Sequence, residues 1–206
     1  NGADNTTSTP ASGYSDFTGA SIFDYLVVGA TGNQISVTKH WTGTQYNEAV
    51  AVWIDFNHDG TFDASEMIMD SPSSTTTPVS TTFPVPSTAM YGSTRMRVIM
   101  QYYNGTGSSV ASSCGNFSYG EVEDYTVYLS YDGLMYADNM WTPNAPSAAT
   151  GADNVLILEG NYTVNSDVAV NNLNIDANAS VTVSKTGSVT VNGDLTTNNN
   201  LTLQSD

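Results

Sequence analysis

Paired apolar residues recur after about residue 150, and this recurrence constrains the fold more than any other feature of the sequence. The pairs return at spacings of 8 (positions 173, 181 and 189) and of 20 (positions 155, 175 and 195), with Thr and Asn between them. Short strands that recur about every 20 residues predict a parallel β-solenoid, in which each turn stacks on the next. An antiparallel meander is the alternative. The predicted solenoid spans residues 154–206 and is incomplete at its C-terminus, because the pattern still continues at "NLTLQSD".

The first 130 residues also predict strands. Their apolar residues form short alternating or continuous runs, which Ser, Thr, Gly and Pro separate, and helical periodicity is almost absent. Six or seven strands at this spacing predict an antiparallel β-sandwich over residues 1–130. Residues 131–153 are rich in Pro, Ala and Asp and are predicted to be a linker. The expected fold class is therefore all-β, with an antiparallel β-sandwich followed by the start of a parallel β-solenoid.

The sequence "DFNHDGTFDASE" follows the apolar run "AVAVWI" directly and places oxygen-bearing residues at regular intervals. Counted from its first residue, positions 1, 3, 5, 7, 9 and 12 are Asp55, Asn57, Asp59, Thr61, Asp63 and Glu66. Gly60 at position 6 allows the sharp turn that a calcium loop of the EF-hand type requires. Because "AVAVWI" predicts a strand, we expect this Ca²⁺ loop on a β scaffold, with a structural role. The alternative is a polar turn with solvated carboxylates.

The charge balance excludes several classes of partner. Only four basic residues stand against 20 acidic ones, which gives a formal net charge of -16. Nucleic acids and anionic lipid surfaces both need Lys and Arg for neutralisation, so neither is expected as a partner. No apolar run approaches the ~20 residues of a membrane-spanning helix, so membrane insertion is not expected.

A second acidic cluster lies in "SYGEVEDYTVYLS". Glu121 and Glu123 share one face of the predicted strand, and Arg95 and Arg97 share one face of another. Cross-strand ion pairs between these residues are therefore predicted, with metal ligation by a glutamate as the alternative.

Three tyrosines flank the long segment between these strands and are the best candidates for an exposed ligand surface: Tyr102, Tyr103 and Tyr119. The single cysteine, Cys114, is interpreted either as a buried small hydrophobe or as half of a disulfide with a partner outside this sequence. With two histidines and no recognisable nucleophile-base set or HExxH motif, the chain is not expected to be an enzyme.

Three motifs occur together in order: "VWIDFNHDGTFDASE", "STRMRV" and "CGNFSYGEVEDYTV". In this combination, residues 14–130 resemble the GEVED domain of secreted and surface proteins of Bacteroidetes-type bacteria. The resemblance implies a β-sandwich, an extracellular or bacterial cell-surface location and no known catalytic role. The C-terminal region is similar, in composition and rhythm, to repeat regions of proteins exported by type IX secretion.

The expected function is a non-catalytic extracellular or cell-surface module for adhesion, display or structural spacing, stabilised by calcium. The alternatives are a carbohydrate-binding accessory module of a secreted enzyme and a subunit of an extracellular filament. The expected partners are accordingly other domains of a larger surface protein, a glycan or protein ligand, or further copies of the chain.

Overall fold

A computed structural model describes residues 13–20, 25–116, 118–137, 139–146 and 151–204. It divides into two compact units, Asn1–Ser130 and Tyr131–Asp206. Strands dominate both units, and the helical element of the described ranges is the 3-10 turn Ala64–Glu66. The predicted all-β class is therefore confirmed. Across these ranges, no helix has the length and apolar character needed to cross a membrane.

Unit 1 contains eight strands within the described residues. They are β1 (Tyr14–Phe17), β2 (Tyr25–Val27), β3 (Asn33–Val37), β4 (Glu48–Ile54), β5 (Met67–Ser74), β6 (Val79–Phe83), β7 (Gly92–Tyr102) and β8 (Gly120–Ser130). The main sheet has the order β1-β8-β7-β4-β5, and β2 also pairs with β8. The strands β8, β7, β4 and β5 are antiparallel, and β3 and β6 form a second antiparallel sheet. The predicted sandwich is confirmed, with the addition that β1 and β2 run parallel to β8.

Strand β4 lies at the centre of this unit, and all seven of its residues are buried. On one face, Val50 and Val52 pack with Val79 of the second sheet. On the other face, Trp53 packs with Val110, which lies in the long segment after β7. Burial on both faces explains why "AVAVWI" is continuously apolar rather than alternating. The acidic loop thus begins at the end of the most deeply buried strand of the main sheet.

Unit 2 contains ten short strands within the described residues. They are β9 (Leu134–Ala137), β10 (Met140–Thr142), β11 (Val155–Ile157), β12 (Gly160–Val164), β13 (Asp167–Val170), β14 (Leu173–Ile175), β15 (Ala179–Val183), β16 (Ser188–Val191), β17 (Leu195–Thr196) and β18 (Leu201–Leu203). Parallel pairing joins β11 to β14, β12 to β15, β13 to β16, β14 to β17 and β15 to β18. The β-solenoid is therefore confirmed, and the antiparallel meander is wrong for this region.

The two sequence spacings have different structural meanings. The spacing of 8 separates successive strands of one turn, since Leu173, Val181 and Val189 lie in β14, β15 and β16. Between turns, Val183 pairs with Leu203, which is the spacing of 20 (203 − 183). The other strand pairs between turns are offset by 18 (173 − 155), 19 (179 − 160), 21 (188 − 167) or 22 (195 − 173), because the corners differ in length. Apolar residues that point inward from the three sheets form one core.

The segment predicted as a linker, residues 131–153, differs from that prediction. Its strands β9 and β10 pair with each other, and Leu134 in β9 pairs with Val155 in β11. Trp141 in β10 lies against Tyr136 and Tyr162, with ring centroids 5.2 and 4.9 Å apart. The Pro- and Asp-rich composition concealed these strands. Leu134 and Tyr136 belong to the core of unit 2, and Trp141 packs against it.

Candidate metal centre

Asp55 begins the acidic loop and has one satisfied and one unsatisfied carboxylate oxygen. The side chain is buried, with 6% of the residue exposed. Its Oδ2 accepts a hydrogen bond from the Gly60 amide at 3.0 Å, while Oδ1 is buried and has no hydrogen-bond partner among the described residues. Gly60 has a φ of 80°, a left-handed conformation that glycine adopts without strain. The loop therefore folds back over Asp55 and leaves one carboxylate oxygen available.

The next two oxygen-bearing positions form successive turns. The Asp59 amide donates to Asn57 Oδ1 at 3.0 Å, and Asp59 Oδ1 accepts from the amide and hydroxyl of Thr61 at 2.8 and 2.7 Å. The hydroxyl of Thr61, followed by its amide, holds the pKa of the Asp59 carboxyl below its usual value. Asn57 and Asp59 thus each accept a hydrogen bond from the amide two residues further on, which is the pattern of an Asx-turn.

Glu66 closes the loop and is also buried, with 4% of the residue exposed. Its Oε1 accepts hydrogen bonds from the amides of Phe56 at 2.8 Å and Asn57 at 3.3 Å. Its Oε2 accepts one from the amide of Asp63 at 3.0 Å, just before the 3-10 turn. The carboxylate of Glu66 thus connects the end of the loop to the second and third residues of the loop.

The structure brings the six predicted ligand residues into one loop, but their carboxylates do not converge. Among the described residues, no three His, Cys, Asp or Glu side chains are grouped as a metal site. The reason is local: the carboxylates of Asp59 and Glu66 accept hydrogen bonds from the loop itself. The donor set still fits a hard cation, because it consists of carboxylate, amide and carbonyl oxygens and includes the unpartnered oxygen of Asp55. The ligand assignment remains a prediction.

The predicted ion pairs have a different acidic partner. In the antiparallel register of β7 and β8, Arg97 lies opposite Asp124 and Arg95 opposite Thr126. Directly opposite residues share a face of the sheet, so both arginines point away from the face of Glu121 and Glu123. The described ion pairs of both arginines are with Asp124, at 2.7 Å from Arg97 and 3.9 Å from Arg95. The i, i+2 pattern identified the arginines but not the strand register that selects their partner.

Two of the three predicted surface tyrosines lie together. Tyr102 contacts Tyr119 edge to face with ring centroids 6.0 Å apart, and Tyr46 contacts Tyr102 in the same way at 5.7 Å. Tyr103 instead donates a hydrogen bond to the Ser109 carbonyl at 2.7 Å and packs against the core cluster beneath the long segment. The sequence analysis missed Tyr46, which lies before β4 and reaches Tyr102 through the pairing of β4 with β7.

Cys114 is exposed and forms no disulfide within the described residues. Its sulfur lies 3.5 Å from Nη1 of Arg97. The interpretation as a buried small hydrophobe is therefore wrong, and a disulfide with a partner outside this sequence stays a prediction.

These features define a β-sandwich module that carries an acidic loop after its central strand. The family model of the GEVED domain matches residues 49–128, which include the loop and the pair Arg97 and Asp124. This part of unit 1 is thus similar to the GEVED domain, as its motifs predicted. The match does not extend to the solenoid. Comparison with curated proteins and with solved structures found no match to either set.

Proposed function

We propose that the chain is a non-catalytic extracellular or cell-surface module for adhesion, display or structural spacing, stabilised by Ca²⁺ at residues 55–66. The observation that carries the calcium assignment is Oδ1 of Asp55, a buried carboxylate oxygen without a hydrogen-bond partner. A buried polar group in this situation destabilises a fold unless an ion or a water satisfies it. A hard divalent cation matches the negative charge of this oxygen and prefers the oxygen donors that the other loop positions carry.

The residues that would hold the ion are those that the spacing predicts. Asp55, Asn57 and Asp59 would contribute side-chain oxygens, and Thr61 its carbonyl. Asp63 and Glu66 would complete the set, Asp63 through a water. An ion held by this many protein oxygens has few positions left for a substrate, so its role is to offset carboxylate repulsion and to fix the loop at the end of β4.

The proposed location rests on resemblance and charge. Unit 1 is similar to a domain of secreted and surface proteins, and the rhythm of unit 2 resembles that of type IX secretion cargo. A net charge of -16 suits a chain that binds cations, or one kept apart from other molecules by charge repulsion. The partners proposed on this basis are other domains of a larger surface protein and a glycan or protein ligand.

The test is thermal unfolding with excess calcium and with a chelator, on the wild type, Asp59→Ala and the matched control Asp70→Ala. Asp70 is an exposed acid in β5, outside the loop. Calcium at about 100 times its Kd stabilises a single site by about 2.7 kcal/mol, so the Tm should rise in the wild type and the control. Asp59→Ala should lose most of this rise. An unchanged Tm in the wild type would contradict the calcium assignment.

A carbohydrate-binding accessory module is a second candidate, supported by the cluster of Tyr46, Tyr102 and Tyr119. Tyr119 is 70% exposed and Tyr46 is 50% exposed, and exposed aromatic rings can stack on sugar rings. Affinity electrophoresis in gels containing plant or algal polysaccharides tests this candidate. Retardation should be lost in Tyr119→Ala and kept in Tyr25→Ala, an exposed tyrosine outside the cluster. No retardation of the wild type would contradict it.

A further inference from the structure

Unit 1 contains a cavity of about 360 Å³ beside the acidic loop. Its wall includes His58 and Phe62 from the loop, Thr18 after β1, Arg95 in β7 and Thr126 in β8. Its volume is at the lower end of the range for small-molecule sites, which is about 300–1,000 Å³. The chemistry of this wall indicates the class of ligand that fits.

The threonines that line the cavity already use their hydroxyl protons within the protein. Thr18 Oγ1 donates its proton to Asp16 at 2.6 Å, and Thr126 Oγ1 donates to the carbonyl of Thr18 at 2.9 Å. Thr94, which also lines the cavity, donates to the carbonyl of Asp55 at 2.6 Å. A hydroxyl has one proton, so only lone pairs of these oxygens remain for a ligand.

Arg95 and His58 supply the complementary groups. The Arg95 side chain is 54% exposed and makes an ion pair of 3.9 Å with Asp124, whose carboxylate already receives two shorter hydrogen bonds from Arg97. The N–H groups of Arg95 are therefore available to a ligand. His58 Nε2 is buried and has no hydrogen-bond partner within the described part of the chain. Calcium would not satisfy this nitrogen, because it prefers hard oxygen ligands.

A ligand for this cavity must donate to the threonine oxygens, accept from Arg95 and present an apolar surface to the ring of Phe62. A simple carboxylate only accepts hydrogen bonds, and an ammonium group only donates them. A sugar ring has hydroxyls that do both, together with a C–H face that packs on an aromatic ring. We propose that the cavity binds one sugar ring of a glycan.

This site is separate from the tyrosine cluster, although both are proposed to bind carbohydrate. The cavity is also lined by Asp55 and Gly60 of the loop. The residues that carry the sugar proposal, namely Arg95, His58 and the threonines, do not belong to the predicted calcium ligands. Failure of the calcium assignment therefore leaves the cavity proposal standing. Loss of binding in Tyr119→Ala, with the cavity variants unaffected, would move the ligand to the tyrosine cluster and overturn the cavity proposal.

The probes are glucose, galactose, mannose and galacturonic acid at millimolar concentrations, added to the ¹⁵N-labelled full chain. The chain has two histidines, so the imidazole nitrogen resonances of His58 are assignable with His40 as an internal reference. Binding in the cavity should shift the resonance of His58 Nε2 and leave that of His40 unchanged. Galacturonic acid against galactose shows whether Arg95 selects a carboxylate-bearing sugar.

Three variants localise the effect. Thr126→Val removes the acceptor oxygen and should weaken binding by up to about tenfold, the worth of one hydrogen bond. Thr126→Ser keeps the oxygen and should bind like the wild type, as should Thr82→Val, an exposed threonine on β6. Arg95→Met should abolish the preference between the charged and neutral sugars, if the wild type shows one. The proposal is overturned if all four sugars leave His58 Nε2 unshifted, or if Thr126→Val binds as tightly as Thr126→Ser.

Discussion

Arg97 and Asp124 form a bidentate ion pair across β7 and β8. Nε of Arg97 lies 2.7 Å from Oδ1 of Asp124, and Nη2 lies 2.7 Å from Oδ2. Asp124 is completely buried, and these hydrogen bonds raise the pKa of the Arg97 guanidinium. The remaining Nη1 of Arg97 donates to the Ser113 carbonyl at 3.1 Å, and the guanidinium lies 5.0 Å from the ring centroid of Phe62. One side chain thus connects the sheet, the acidic loop and the long segment.

The first prediction concerns the asymmetry of this pair. In Arg97→Met the completely buried Asp124 carboxylate keeps only the Tyr14 hydroxyl at 3.1 Å and Arg95 at 3.9 Å as its described partners. We therefore expect the free energy of unfolding to fall by about 3–5 kcal/mol. Asp124→Asn should cost less, because the Arg97 side chain is 16% exposed and can be hydrated. Hydrogen exchange of the β7 and β8 amides measures both losses within unit 1.

Arg95→Met is the matched control for Arg97→Met. The Arg95 side chain is 54% exposed and its ion pair with Asp124 is long. The loss of Arg95 should therefore lower the free energy of unfolding by less than about 1 kcal/mol. Equal losses for the two arginine variants would show that Arg97 is not the structural cation of this sheet.

The sequence predicts local features of this chain better than features that depend on strand register. The loop from Asp55 to Glu66 was recognisable because its oxygen-bearing positions lie within twelve residues. The solenoid was recognisable because its period repeats. The partner of Arg97 was not recognisable. Alternation places Asp124 and Glu123 on opposite faces of β8, but it does not fix which of them shares a face with Arg97.

The same limit applies to the sites missed in the sequence. Tyr46 and Tyr102 are far apart in the chain and meet only because of how β4 aligns with β7. The cavity beside the loop likewise combines residues from β7, β8 and the segment after β1. No local spacing in the sequence indicates such a combination of residues.

The second prediction separates the structural role of Glu66 from any role in binding metal. In the presence of a chelator, Glu66→Gln should destabilise unit 1 by about 1–3 kcal/mol. Both carboxylate oxygens of Glu66 accept hydrogen bonds from backbone N–H groups, and in Gln the NH2 group, which cannot accept, would replace one of them. Urea denaturation with amide exchange of β4 as the local readout measures this loss. Ser65→Ala, an exposed change in the same 3-10 turn, is the control. Wild-type stability for Glu66→Gln under chelation would show that these hydrogen bonds contribute little.

The third prediction concerns the pKa of Asp59. Thr61→Val removes the hydroxyl that contributes most to lowering this pKa, while the Thr61 amide remains, so the pKa should rise part of the way to its usual value. A carboxyl whose pKa is lowered on folding stabilises the fold above its unfolded pKa, and this contribution is lost as the pH falls through the folded pKa. The difference in stability between wild type and variant should therefore be largest near neutral pH and shrink in acid.

A ¹³C titration of the Asp59 carboxyl in the presence of a chelator checks the direction of this shift. Thr75→Val, an exposed threonine outside the loop, should leave the Asp59 titration unchanged. An Asp59 pKa that is the same in the wild type and Thr61→Val would rule out the turn between these two residues.

The fourth prediction tests the stacking of the solenoid through Gly187, which lies at the corner before β16. A Cβ at this position would overlap the backbone carbonyl of Val164 in the preceding turn. Backbone cannot move aside as a flexible side chain can, so Gly187→Ala should destabilise unit 2 by about 1–3 kcal/mol. Hydrogen exchange should show faster opening of β12, β13, β15 and β16, with the amides of β4 and β7 unaffected. Gly43→Ala, where a Cβ meets no atom within 4 Å, is the control and should change neither unit. Unchanged exchange in Gly187→Ala would mean that the corner between these turns is looser than the parallel pairing of β13 with β16 requires.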